Sequence, residues 1–153
     1  ETQAVLKDGW LHTGDIVRRD SQGFFFLVAR KKDMIKSRGE NVYPREVEEV
    51  LLRHEAVQDT VIVGIPHQKL GEAVKAYVVL KEGRSVTQEA LLSYCRNSLA
   101  LFKVPTAVEF RSELPRNIVG KVLRRQLREE EVNKMSPETL SLSRVEEEVR
   151  IGS

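Results

Sequence analysis

The segment from Val28 to Pro44 constrains the fold more than any other. An apolar run, Phe24-Phe25-Phe26-Leu27-Val28, ends at its start, and a helix opens on Pro44 at its end. Between them stand five cationic side chains, Arg30, Lys31, Lys32, Lys36 and Arg38, with one glycine and little to bury. Such a stretch cannot hold itself together by packing, so its neighbours must position it. From charge alone it is a solvated basic connection. The order of its residues argues for more.

Upstream, residues 1 to 9 read as a loop entry with turn chemistry at Lys7-Asp8-Gly9. Two β-prone runs, Trp10 to Asp20 and Phe24 to Val28, flank Ser21-Gln22-Gly23 and predict a hairpin. Downstream, Pro44 to His54 predicts a helix, with proline in the first turn, acids in the N-terminal half and Arg53-His54 at the end. Val47, Val50, Leu51 and His54 share one face, which makes His54 a packing or capping residue. Val57 to Ile65 and Ala73 to Leu80 are β-branched strands joined by Pro66 to Glu72. A helix capped by Val86 or Thr87 follows, running through Leu91, Leu92, Cys95 and Leu99. A third strand covers Ala107 to Arg111, a loop Leu114 to Gly120, and a last basic helix begins at Val122. This order predicts an α+β fold: an N-terminal β-hairpin, then a small sheet of about three strands covered by helices.

The chain has 153 residues, enough for one domain and a tail without staples. Its single Cys95 can form no internal disulfide and has no partners at metal-ligand spacing, so no metal site is expected. No apolar run approaches the roughly 20 residues of a membrane span, and no signal peptide opens the chain. The expected compartment is the cytoplasm. Glu1 in place of an initiator Met leads us to expect that the chain was cut from something larger. Net charge is +2, unevenly spread: Arg30 to Arg45 is basic, Pro115 to Arg128 holds five cations and no acid, and the sign reverses from Glu129. Two basic segments suit a polyphosphate ligand, although exposed helix faces give the same pattern. Beyond residue 131 only a weak amphipathic pattern remains.

Thr13-Gly14-Asp15 offers a glycine that lets backbone approach and a carboxylate that can accept both hydroxyls of a ribose diol. Taken alone, Asp15 is also an ordinary turn acid. Leu114-Pro115-Arg116-Asn117-Ile118-Val119-Gly120-Lys121-Val122-Leu123-Arg124 places a lysine after a glycine, which by itself signifies little. Standing 106 residues after Asp15, in order with Arg30-Lys31-Lys32-Asp33-Met34-Ile35-Lys36-Ser37-Arg38-Gly39-Glu40-Asn41-Val42-Tyr43-Pro44, it signifies much more.

Together these motifs resemble the small C-terminal domain of the adenylate-forming superfamily, which includes acyl-CoA synthetases, firefly-type luciferases and peptide-synthetase adenylation domains. The resemblance runs through residue 130 and is nearest to fatty-acid or aryl-acid CoA ligases. It implies that Asp15 and Arg30 bind nucleotide, with Ala29 standing where the family pattern has glycine. Lys32 falls at the hinge. Lys36 falls near the adenylate in the second half-reaction, and Ser37, Arg38, Gly39, Glu40 and Asn41 form the CoA-side loop. Gly39 would keep the pantetheine passage clear. Lys121 becomes the adenylation lysine of the pattern Pro-x-x-x-x-Gly-Lys-x-x-Arg. Implied too are ATP, CoA and Mg2+, the magnesium held mainly through a large N-terminal domain that this chain lacks. The phosphate loop and acyl pocket would lie there, since neither is present here. The resemblance divides the chain into a linking segment and hairpin (1–31), a lid domain (32–130) and a tail (131–153).

The function implied is the lid of an ATP-dependent acyl-CoA synthetase, inactive in isolation. Its partners would be its own large domain, a carboxylic acid, ATP and CoA, with no nucleic acid and no membrane span. Two alternatives stay open: the lid of an enzyme loading a carrier protein, and a stand-alone basic module acting on RNA or a protein. Base readout normally brings exposed aromatics into the basic patch, whereas here the aromatics sit mainly in the run Phe24-Phe25-Phe26.

Overall fold

The computed structural model describes residues 6–7, 10–11 and 13–135, and within them the fold is α+β. Two short strands, β1 (Leu6–Lys7) and β2 (Trp10–Leu11), pair antiparallel, so part of the expected loop entry is strand. The expected hairpin is present but shorter at its start: β3 (Asp15–Arg19) pairs with β4 (Phe25–Arg30). Its turn is built by Asp20, whose Oδ1 accepts the N–H groups of Gln22 and Phe24, both at 2.9 Å. A bulge between Ile16 and Val17 shifts the register. Phe24 and Phe25 are 64% and 68% exposed, with Phe26 and Leu27 also open and Arg18 and Arg19 lying over two of the rings. The aromatic strand run therefore presents its rings to solvent in this chain.

After a 3₁₀ turn (Lys31–Asp33), the main sheet begins. It has five strands rather than about three: β5 (Ile35–Ser37), β6 (Glu40–Val42), β7 (Val57–His67), β8 (Gly71–Leu80) and β9 (Ala107–Phe110). The two added strands lie within the basic segment read as a connection. Ile35 and Val42 are buried in the core and help to seat the hairpin. β7 and β8 also run further than expected, taking Pro66, His67, Gly71 and Glu72 into the ladder.

Helix α1 (Pro44–Leu52) opens on proline, and α2 (Gln88–Arg96) is capped by Thr87, whose Oγ1 accepts the Ala90 N–H at 3.2 Å. Leu99 lies beyond the end of α2. His54 accepts the Ala56 N–H and packs edge-on against Tyr94. β9 returns parallel to β8, which requires a crossover, and α2 supplies it. Strand alternation buries both faces. Ile62, Val74, Ala76 and Val78 face α1 and α2, where Cys95 is buried and its thiol is pushed up to about 11 by that burial. Val61, Val63, Tyr77 and Val79 face the other way, towards Leu127 of helix α3 (Arg124–Lys134). This helix starts two residues later than expected, and it continues to Lys134; residues 136–153 lie outside the described residues.

Helix α3 buries one apolar side chain, Leu127, together with Glu131. Burying one leucine contributes about 2 kcal/mol, so ionic contacts decide how firmly this helix docks. Glu131 lies 2.8 Å from both Lys75 and Lys134, and Lys75 lies 2.6 Å from Glu109. Burial works to raise the Glu131 carboxyl, but hydrogen bonds from Lys134 and Lys75 outweigh it and hold the group at about 2. A carboxyl held at about 2 rather than 4.5 contributes about 3 kcal/mol above its unfolded value. The contribution is lost as pH falls from 4.5 through 2. Urea unfolding at pH 6 and pH 2.5 should therefore show a loss of that order, and Glu131→Gln should lack this part of the slope. Equal acid slopes in the two proteins would contradict the assignment.

Candidate functional site

Asp15 and Arg30 stand opposite each other in the β3–β4 ladder. Arg30 Nε lies 3.3 Å from Asp15 Oδ1, yet that oxygen is buried and accepts no hydrogen bond among the described residues. A buried carboxylate oxygen paired by charge but not hydrogen-bonded has acceptor capacity left unused. Ala29, beside Arg30, is buried.

The Lys31–Asp33 turn links this hairpin to the main sheet. On the hairpin side the Lys31 N–H donates to the Gly14 carbonyl at 2.8 Å. On the domain side Asp33 faces Arg124 at 4.0 Å. Lys32 lies between the two anchors with an exposed side chain.

Lys36 is exposed on β5 between buried Ile35 and Ser37, as strand alternation requires. Arg38 and Gly39, at φ 57° and 79°, form the two-residue turn of the hairpin, so the expected loop from Ser37 to Asn41 is strand, turn and strand. A Cβ added at Gly39 would meet nothing within 4 Å. Within this chain, Gly39 is required for its positive φ rather than for space.

Lys121 sits on a loop shaped by Asn117. The Asn117 side-chain carbonyl accepts the N–H groups of Val119 and Lys121 at 3.1 and 2.9 Å, and its own N–H donates to the Lys121 carbonyl at 2.9 Å. Gly120 takes φ 82°. Arg116 ties the loop back, donating to the Gly120 carbonyl at 2.6 Å and to Asp59. The backbone is thus fixed while the Lys121 side chain is exposed, and no ion pair reaches its amine among the described residues. Ile118 and Val119 project fully exposed from the tip.

Two adjoining hollows collect these parts. One, of about 350 Å³, is lined by Arg30, Asp33, Lys121 and Arg124. The other, of about 690 Å³, is lined by Lys32, Asp33, Lys121, Arg124 and Arg128. The structure thus brings Arg30, the Lys31–Asp33 turn and Lys121 together. Lys36 lines neither hollow.

The sequence alone did not mark Glu48 and Glu72, which hold the arginines of α3. Arg124 donates to Glu48 at 2.5 Å and to the Ile62 carbonyl at 3.3 Å; Arg128 donates to Glu72 at 2.6 Å and to the Gly64 carbonyl at 2.9 Å. Glu48 is one of several acids on α1, and only the packing shows which of them meets Arg124. No group of three or more His, Cys, Asp or Glu that could hold a metal ion forms among the described residues. No helix among them is long and apolar enough to cross a membrane.

Residues 46–121 match the AMP-binding enzyme C-terminal domain. The chain is 56% identical over 131 residues to a long-chain-fatty-acid–CoA ligase of Bacillus subtilis, covering 86% of this chain and 23% of that protein. It superposes on ATP-bound MatB from Rhodopseudomonas palustris with a TM-score of 0.79 and 35% identity, over 84% of this chain and 26% of the other. The o-succinylbenzoate CoA synthetase of Bacillus subtilis, in complex with its acyl-adenylate intermediate, matches with a TM-score of 0.77 and 42% identity, over 82% and 25%. The chain spans about a quarter of the length of these proteins.

Proposed function

We propose, for a chain that belongs to the AMP-binding enzyme C-terminal domain family and so to the adenylate-forming superfamily, the role of lid in an ATP-dependent acyl-CoA synthetase. The observation that carries this reading is the exposed amine of Lys121, on a hydrogen-bonded loop, in hollows shared with Arg30 and the hinge turn. In the first half-reaction a carboxylate oxygen attacks the α-phosphate of ATP, forming acyl-AMP and releasing pyrophosphate. Negative charge gathers between two anions, and a lysine on a flexible stem can bridge them. In the second, the CoA thiol attacks the acyl carbonyl and AMP leaves. Lys36 and the Ser37–Asn41 hairpin serve that step in our reading, reached by rotation about Lys32. Their separation from both hollows supports a division between two orientations.

Asp15 would accept the ribose hydroxyls, with Arg30 beside it. We place the hinge at Lys32, where the linking segment and hairpin (1–31) meet the lid domain (32–130), and the acid-selecting pocket on a large N-terminal domain. The exposed Phe24, Phe25, Phe26 and Leu27, on both sides of the hairpin, support such a partner, because so much open apolar surface has the character of an interface with one half removed. Magnesium belongs to this reading only as a counter-ion of the triphosphate, and the cytoplasm as its compartment.

The coding sequence upstream of Glu1 tests the proposal at least cost: it should encode a large domain with a Ser/Thr/Gly-rich loop ending in Lys. In solution, the full-length protein should catalyse acid-dependent ATP–pyrophosphate exchange and this chain alone should not. Exchange by the isolated chain, or a start codon at its head, would contradict the lid role.

A further inference from the structure

Strand β5 is three residues long and is bonded unequally along its two edges. One edge pairs fully with β6. On the other, the ladder to β8 ends at Ser37 opposite Gly71, with the Arg38 N–H donating to the Leu70 carbonyl at 2.9 Å. The next N–H in that direction belongs to Lys36. It donates not to the β8 backbone but to Glu72 Oε2, at 2.8 Å.

The other oxygen of the same carboxylate, Oε1, accepts from Arg128 at 2.6 Å, and Arg128 also donates to the Gly64 carbonyl at 2.9 Å. One carboxylate, only 14% exposed, thus joins the Lys36 backbone to the last helix. Gly64 makes the space. A Cβ there would stand 3.0 Å from the γ-carbons of Ile35 and 3.1 Å from Glu72 Oε1.

We propose that Glu72, held by Arg128, is a positioning residue for the half-reaction of Lys36; this rests on the synthetase reading above. Buried Ile35 and Ser37 fix which face of β5 looks outward, while Glu72 fixes the height of the Lys36 backbone where the sheet splits. A small tilt at that backbone is magnified at the end of a four-carbon stem. Lys121 is held by Asn117 and Arg116, which do not bond to Glu72; Glu72 and Arg128 do line the larger hollow beside Lys121, so adenylation should fall as well, but by less than the step that depends on Lys36.

The test uses the full-length enzyme and two assays: acid-dependent ATP–pyrophosphate exchange, and CoA ester formation from supplied acyl-AMP. Glu72→Ala is expected to slow the ester step about 10- to 50-fold, within the range for a misplaced contact, and to slow exchange at least about fivefold less than that. Glu72→Gln keeps one oxygen for the Lys36 N–H but turns its NH2 towards the Arg128 guanidinium, so it should recover the ester step in part. Hydrogen exchange over residues 35–42 should follow the same order, fast in the alanine variant and between that and wild type in the glutamine variant. If the alanine variant does not fold, Arg128→Ala should show a smaller split in the same direction. Equal loss of both half-reactions, or no recovery with glutamine, overturns the positioning role. A wild-type enzyme that makes no acyl-AMP would instead overturn the synthetase reading, and this proposal with it.

Discussion

Lys121→Ala in the full-length enzyme is expected to slow acyl-AMP formation by about 10²-fold or more, the size of one lost electrostatic contact to a transition state. Thioester formation from supplied acyl-AMP should change far less. The structure makes the substitution a clean one. The loop is held by Asn117, Arg116 and the positive φ of Gly120, none of which involves the Lys121 side chain, so its removal should leave the backbone in place. The amine is exposed and no acid among the described residues pairs with it, so the variant leaves no buried partner stranded. Acetylation of the same amine removes its charge and should mimic the first-step loss. Synthetic acyl-AMP and CoA given to the variant decide the matter: a second step that falls as far as the first would make Lys121 structural or shared.

Motif order named the residues of the candidate site, because the spacing from Asp15 to Lys121 is a property of the chain and needs no coordinates. The α+β order was legible too, from Pro44 and from the β-branched runs. What stayed hidden was set by side chains that meet across the fold. The Ile35–Val42 hairpin looked like a solvated connection because charge masks two apolar residues, yet those two enter the core. The turn at Arg38-Gly39 needs positive φ at both positions, and arginine gives no signal of that in a sequence. Asp15 and Arg30 are 15 residues apart in sequence and opposite in the ladder, so their pairing follows from hairpin register, which the bulge at Ile16/Val17 shifts. Glu48 and Glu72 were lost among ordinary surface acids. Neither is distinguishable until helix α3 brings an arginine to each.

Lys32→Pro is expected to cut one half-reaction by about 10²-fold or more while the other survives within about tenfold, since misalignment of about 1 Å already costs that much. The turn it alters is one residue deep between two fixed points, the Lys31 N–H on the Gly14 carbonyl and Asp33 facing Arg124. Arg30 and Met34, on either side, are extended, at ψ 135° and 132°. A change of lid orientation has to be absorbed by the few dihedrals between those anchors. Proline pins φ at residue 32 near −65°, removes its N–H, and pushes Lys31 away from helical ψ. Two orientations that differ by a large backbone rotation cannot both satisfy those limits. Lys32→Ala is the matching control: it deletes the exposed amine and keeps the backbone free, so both half-reactions should stay within a few-fold of wild type if conformational freedom is what the position supplies. Equal loss of both half-reactions in the proline variant, with the fold intact by circular dichroism, would place the pivot elsewhere. A loss in the alanine variant as large as in the proline variant would instead give Lys32 a role through its charge.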